Sequence, residues 1–284
     1  MDLKEENSSV EVDKSLGWGS SLPVPSVQGM GRNDSKSIPE RYIQKHEDRP
    51  LISQICPASS EIPTIDFSLL AKGEEDERKR LDYACKECGF FLVTEHEVAE
   101  EVLQKMKGAV KAFFDLPLVE KKKYAMEEHD VQGYGLAYVV SEEQKLDWND
   151  LLFLITSPTN YKNIKYWQTT LPGFKEAVEW YSEEIERVSE EIFVNLSLLM
   201  GMKRNGLKKL HGGVKLGMRL NYYLTCFRPD LVLGVSPHSD PSSITLLLQD
   251  DDFNGLQIKH NGVWVPAKPV PNAIVVNIGD VMEA

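Results

Sequence analysis

Near residue 215 the hydrophobic pattern of the chain passes from long helical stretches to closely spaced short runs, and that change limits the possible folds more than any single motif. Before it, the longest patterned stretch is PGFKEAVEWYSEEIERVSEEIFVNLSLLMG. There Phe174, Val178, Tyr181, Ile185, Val188, Ile192, Leu196 and Leu199 recur at gaps of three or four. Such spacing is one face of an α-helix, with Pro172 and Gly173 marking its start and Gly201 its end. After residue 215 the apolar runs shorten to MRLNYYL, SITLLLQ, LQIKH, VWVPAK and AIVVNI, separated by the turn-rich pieces DDDFNG and HNG. Runs of this length between turn signals read as strands. A helical part followed by closely spaced short strands predicts a mixed α and β fold, in which helices back a sandwich or barrel that carries the chemistry.

Upstream, IPTIDF and GFFLVTEH read as strands, residues 76–88 and 98–114 as helices, and residues 116–126 as a short third helix. Residues 1–60 are rich in Ser, Pro, Gly and charge and are expected to form an arm, partly disordered at its start. The chain therefore divides into an arm (1–60), an N-terminal α/β domain (61–170), a supporting helix and connection (171–214) and a β core (215–284). A composition of 42% apolar and 9% aromatic residues in 284 can fill a substantial core. The net charge is −12 and no Lys/Arg block is long enough for a nucleic-acid groove or an anionic membrane surface, so neither partner is expected. MDLKEENSSVEVDK is acidic where a signal peptide needs a basic start and an apolar stretch, and no run of 18 apolar residues occurs. A cytoplasmic location is the expectation. Cys56, Cys85, Cys88 and Cys226 are too few for a disulfide framework in a chain this long.

The strongest chemical signal is SPHSDPSSITLLLQ, where His238 and Asp240 stand two residues apart at the mouth of a strand. In an extended segment such residues face one side, and imidazole plus carboxylate suits ferrous iron. A site of two His and one carboxylate leaves three positions open, enough for a bidentate 2-oxo acid and dioxygen. Competing patterns are weaker. Asp250-x-Asp252-x-Asn254-Gly255 begins like a calcium loop, but its twelfth position is Asn261 and its flanks are strands, so it reads as an acidic turn. Ser236 and Ser239 lack a nucleophile-elbow context. Cys85-Lys86-Glu87-Cys88 has redox or zinc spacing without a second ligand pair and reads as packing.

The segment from RLNYYL to GDVMEA resembles the double-stranded β-helix core of plant 2-oxoglutarate/Fe(II)-dependent dioxygenases. EIPTIDFSLL, ACKECGFFLVTEH, FFDLPLVEKKKY, GYGLAYVVSEEQKLDW and LPGFKEAVEWYSEE resemble that family's N-terminal domain in the same order. Within the family the likeness is to a senescence-related group that includes alkaloid O-demethylases and a norcoclaurine-synthase-like branch. The resemblance implies a jelly-roll, cupin-like core backed by helices, with His238 and Asp240 as iron ligands and Asn221 and Tyr223 as contacts of 2-oxoglutarate. The stretches 133–135 and 146–148 fall where relatives line or support the substrate mouth. The implied cofactors are Fe(II), 2-oxoglutarate as cosubstrate and ascorbate as a reductant; the implied partners are dioxygen and a small aromatic metabolite, met by a monomer.

Departures from the family pattern matter equally. NYYLTCF stands where relatives have NYYPPCP, Glu95-His96-Glu97 where they have NHG, and Cys88 where they commonly have Trp. The family's second iron His, and the Arg and Ser that clamp 2-oxoglutarate, lie further beyond the Asp than the 44 residues that follow Asp240 here. His260 and His211 sit in turn and helix-end contexts, and His46, His96 and His129 in the arm or helical half, so none is expected to substitute. The reading is a hydroxylase or O-demethylase whose last core strands are missing, with weak iron binding, low stability and little turnover expected. A norcoclaurine-synthase-like condensing enzyme and a catalytically dead binding or regulatory isoform are the alternatives.

Overall fold

The computed structural model describes residues 22, 24–31, 37–49, 62–127, 130–136, 139–213 and 215–283. Cys56, His129 and most of the arm lie outside the described residues. Along the chain the helices are α1 (Val27–Gly31), α2 (Phe67–Lys72), α3 (Glu75–Tyr83), α4 (Glu100–Asp115), α5 (Leu118–Lys121), α6 (Phe174–Leu199), α7 (Gly206–Leu210) and α8 (Asp280–Glu283). The strands are β1 (Thr64–Asp66), β2 (Phe90–Thr94), β3 (Gly133–Gly135), β4 (Asn149–Ser157), β5 (Leu216–Tyr223), β6 (Ile244–Leu247), β7 (Gln257–His260), β8 (Val263–Pro266) and β9 (Ile274–Ile278).

The periodic stretch becomes α6, entered through Gly173 in a left-handed conformation (φ 79°). Its expected apolar face is buried from Phe174 to Leu196, while Leu199 at the end is half-buried. The predicted helix over 76–88 forms α3 and then one π-helical turn, Ala84–Cys88, closed by Gly89 at φ 69°. Cys85 is tucked against the main core there, and burial pushes its thiol up to about 12, leaving an unreactive, packed side chain. Asp66 ends β1 and starts α2 by accepting from the backbone N–H groups of Ser68 and Leu69.

Two sheets carry the β structure. One has the order β1-β2-β9-β6, with β1 and β2 parallel and the other pairs antiparallel; the second is β3-β4-β5, all antiparallel. The third element is the β7-β8 hairpin. A single apolar cluster joins the two sheets to the helices: Phe91, Val93, Leu152, Leu154, Leu220, Ile274 and Val276 pack with Phe113 of α4 and Val178, Ile185 and Val188 of α6. Cross-strand pairs share a face, so the row Asn149, Leu151, Phe153 lies beside Tyr223, Asn221, Arg219 on the face of the second sheet turned away from α6. Leu151 and Phe153 there join a second cluster with Val27 and Tyr42 of the arm and Trp148, Leu146 and Val232. Mixed helix and sheet built this way is the architecture of a jelly-roll core backed by helices. No helix among the described residues is long and apolar enough to cross a membrane.

Candidate metal and cosubstrate site

Residues 231–243 run from the second sheet to the first, and each end of this loop is held by a different strand terminus. β9 leads into Gly279 and Asp280, whose N–H groups donate to Ser243 O and Asp240 O, each at 2.9 Å. A Cβ on Gly279 would run into the carbonyl oxygens of Ser242 and Asp240, the latter at 2.8 Å, so this approach requires glycine. At the other end, the residues leading into β4 hold the loop. Trp148 N donates to Leu233 O (2.7 Å), Asn149 Nδ2 to Gly234 O (2.5 Å), and both Ser236 N (2.9 Å) and Ser236 Oγ (2.5 Å) donate to Asp147 Oδ1.

Between these anchors sit His238 and Asp240. His238 Nδ1 is 2.8 Å from Ser236 O, so a proton on Nδ1 donates there and Nε2 is left for a ligand. Asp240 Oδ2 accepts from Thr245 Oγ1 (2.6 Å) and Asn277 Nδ2 (2.8 Å), which leaves Oδ1 turned to His238 Nε2 at 3.5 Å. The imidazole beside Asp240 holds its carboxyl well below the usual carboxylate range, with Thr245 and Asn277 adding to the effect. In return the Asp240 carboxylate raises the His238 pKa, against the effect of burial.

The donor set fits ferrous iron. One imidazole nitrogen and one carboxylate oxygen converge, their far atoms are tied by hydrogen bonds that set tautomer and direction, and His238 remains exposed enough for an ion to reach it. Adjacent ligands of an octahedral ion bonded at about 2.1 Å lie about 3 Å apart, close to the separation seen here. Among the described residues no group of three His, Cys, Asp or Glu side chains is placed to hold a metal ion.

Asn221 and Tyr223 lie on the face of β5 described above. Arg219 Nε donates to Asn221 Oδ1 (2.8 Å), and the ring of Tyr223 packs on Gly234 in the metal-side loop. The Arg219 charge acts on both His238 and Asp147, so the β5 row and the loop form one neighbourhood. Tyr223 is 48% exposed, open for contact with a ligand.

The sequence pattern does not mark Arg219, Thr245 or Asn277, and Asp147 stands out there only as a member of the stretch 146–148. The available signal was a polar residue inside an apolar run, Asn277 in AIVVNI above all, since a buried polar group needs a partner. Other residues fall away from the site. His211 packs on Phe193, with Nε2 3.4 Å from Ser243 Oγ; His260 Nε2 pairs with Asn261 at the β7-β8 turn; His96 is buried and bonded to Asn272 O in the turn before β9. The Asp250 turn is exposed, with Asp251 paired to Lys107. Ser236 Oγ is given to a carboxylate and not to a base, so it is no hydrolytic nucleophile. Gly133–Gly135 forms β3, and Tyr134 donates to Asp150.

Comparison with known proteins identifies the family. Residues 62–172 match the family "non-haem dioxygenase in morphine synthesis N-terminal", and residues 215–284 match the 2OG-Fe(II) oxygenase superfamily. The chain is 39% identical over 269 residues to Protein SRG1 of Arabidopsis thaliana, covering 93% of this chain and 75% of that protein. It is 34% identical over 283 residues to thebaine 6-O-demethylase of Papaver somniferum, covering 96% and 78%. The crystal structure of JOX2 in complex with 2OG, Fe and JA superposes with a TM-score of 0.83 at 34% identity, over 92% of this chain and 75% of that one. The chain thus belongs to the 2OG-Fe(II) oxygenase superfamily, as an enzyme of the plant dioxygenase group whose cofactors are Fe(II) and 2-oxoglutarate.

Proposed function

We propose that this chain is built for 2-oxoglutarate-dependent hydroxylation or O-demethylation of a small aromatic plant metabolite by a monomer. His238 and Asp240 hold Fe(II), and Asn221 and Tyr223 contact 2-oxoglutarate. The observation that carries the reading is the pair of free ligand atoms, His238 Nε2 and Asp240 Oδ1, facing each other while Ser236, Thr245 and Asn277 tie the atoms behind them. Iron held there would supply the centre at which dioxygen is the oxidant for both 2-oxoglutarate, giving succinate and carbon dioxide, and a substrate C–H bond, one oxygen atom going to each.

The protein's part follows from its own residues. Asp240, held anionic, brings charge for a cation, and His238 offers a lone pair in a fixed direction. Arg219, on the same strand face as Asn221, favours an anionic carboxylate near that row. The name of thebaine 6-O-demethylase, a relative over most of both chains, supports demethylation as one outcome.

Among the described residues only this pair of ligand side chains converges there, and two ligands hold iron less firmly than three, so the 284-residue chain is expected to retain iron weakly and turn over slowly. The test is anaerobic Fe(II) titration of the pure chain, followed by 2-oxoglutarate-dependent succinate formation with dioxygen. Saturable iron uptake that is lost in H238A and D240A is expected, with succinate formation far below that of a three-ligand dioxygenase. Iron uptake unchanged in both variants would overturn the ligand assignment; rapid succinate production would overturn the impairment.

A further inference from the structure

The geometry points to Asp147 as a positioning residue for the metal site, acting on His238 through Ser236; this rests on the reading of His238 as a metal ligand. Asp147 never touches the imidazole. Its Oδ1 accepts from both Ser236 N and Ser236 Oγ, and these two bonds fix the residue whose own carbonyl oxygen takes the proton of His238 Nδ1. A metal-bound imidazole keeps its direction only if the acceptor behind Nδ1 keeps its place. Ser236 is half-buried in a loop of no regular structure, so side-chain anchoring does there what a strand ladder does elsewhere.

The anchor is itself immobilised. Leu146, one residue before Asp147, donates its N–H to Arg41 O (2.8 Å) and accepts at its O from Gln44 Nε2 (3.2 Å), while Gln44 N donates to Leu231 O (2.9 Å). Tyr42 packs edge-on against Trp148 at 5.4 Å. Residues 41–44 therefore bind both the segment that bears Asp147 and the start of the metal-side loop. Asp147 sits half-buried between them, where burial pushes its carboxyl up against the opposing effect of the Ser236 bonds.

Cobalt(II) chloride titrated into the metal-free 284-residue chain tests this by calorimetry and by proton NMR of the exchangeable, cobalt-shifted Nδ1–H of His238. D147A is expected to weaken cobalt binding about tenfold or more and to lose that resonance to solvent exchange. D147N, whose amide oxygen can accept the same two bonds, should stay within about threefold of wild type and keep the resonance. S236A, which lacks the hydroxyl but retains both backbone groups, should fall between. Cobalt affinity of D147A within about twofold of wild type with the resonance retained overturns the role; so does D147N as impaired as D147A. If D147A shows no cooperative thermal transition, S236A and D147N decide, and S236A equal to wild type in both readouts overturns it. A wild-type chain that takes up no cobalt removes the metal reading and this role with it.

Discussion

Glu97 occupies a backbone conformation that suits glycine: its φ is 62°, and Glu95, two residues earlier, is at 50°. The family resemblance leads one to expect Gly at the Glu97 position, and a glutamate in this conformation is a local strain. Removing the Cβ relieves about 1 kcal/mol or more, part of which the unfolded chain regains as entropy, so E97G is expected to raise stability by about 0.5–1 kcal/mol. A urea midpoint lower than wild type would refute this. His96 between them is buried, accepting Val98 N–H at Nδ1 (3.1 Å) and donating from Nε2 to Asn272 O (2.6 Å). Burial holds its pKa below the ordinary 6.5. As pH falls through about 6.5 the unfolded chain takes up a proton that the folded chain refuses, so His96 costs stability progressively on the acid side. Stability should fall more steeply between about pH 7 and 5.5 in wild type than in H96Q; equal slopes in urea titrations would show that His96 is not responsible. At this scale the proposed pair His238 and Asp240 is legible because two residues in a short extended segment face one way. Their supports are not, since Asn277 lies 37 residues from Asp240 and Asp147 lies 89 from Ser236, and only the fold brings them together.

β4 shows why an element can hide in plain sequence. NDLLFLITS is buried from Asn149 to Thr156, so both faces are apolar and no alternation marks it as a strand. α6 and β5 announced themselves because each has a wet side. β4 also anchors the arm: Asp150 is buried and accepts from Ser26 Oγ (2.6 Å), Val27 N (2.7 Å), Gln28 N (3.1 Å) and Tyr134 OH (2.8 Å). These bonds cap α1, and Gln28 in turn meets the buried Lys121 and the carbonyl of Phe114. Leu224 packs into the same cluster as Val27. D150A should therefore cost about 2–4 kcal/mol, because charge-assisted bonds are lost and buried donors are stranded. Hydrogen exchange at the amides of Val27 and Gln28 should rise well before that of β4. Uniform loss of protection across the chain, or none at α1, would contradict the assignment of Asp150 as the anchor of the arm.

Over the whole molecule, chain order and sheet order disagree, and this governs how the protein can unfold. β9, from the last eleven residues but one short helix, pairs with β2 from residue 90 onward, and β5 pairs with β4. Residues 62–172, which match the N-terminal family by themselves, thus contribute β1, β2, β3 and β4 to sheets completed by residues 216–278. Their helix α4 shares its core with Val178, Ile185, Ile274 and Val276. Cutting the chain after residue 172 would bare one edge of β2, one edge of β4 and the apolar side of α4, losses that short strands cannot offset alone. The isolated 62–172 fragment is therefore expected to show no cooperative thermal transition, and the 284-residue chain to unfold in one transition, with β2 and β9 amides losing protection together. Circular dichroism melts of the fragment, and hydrogen exchange on the whole chain, give the two readouts. A fragment that melts cooperatively with native-like secondary structure, or β9 amides that open at much lower urea than those of β2, would mean that the first half folds as a unit of its own and that the later strands dock onto it.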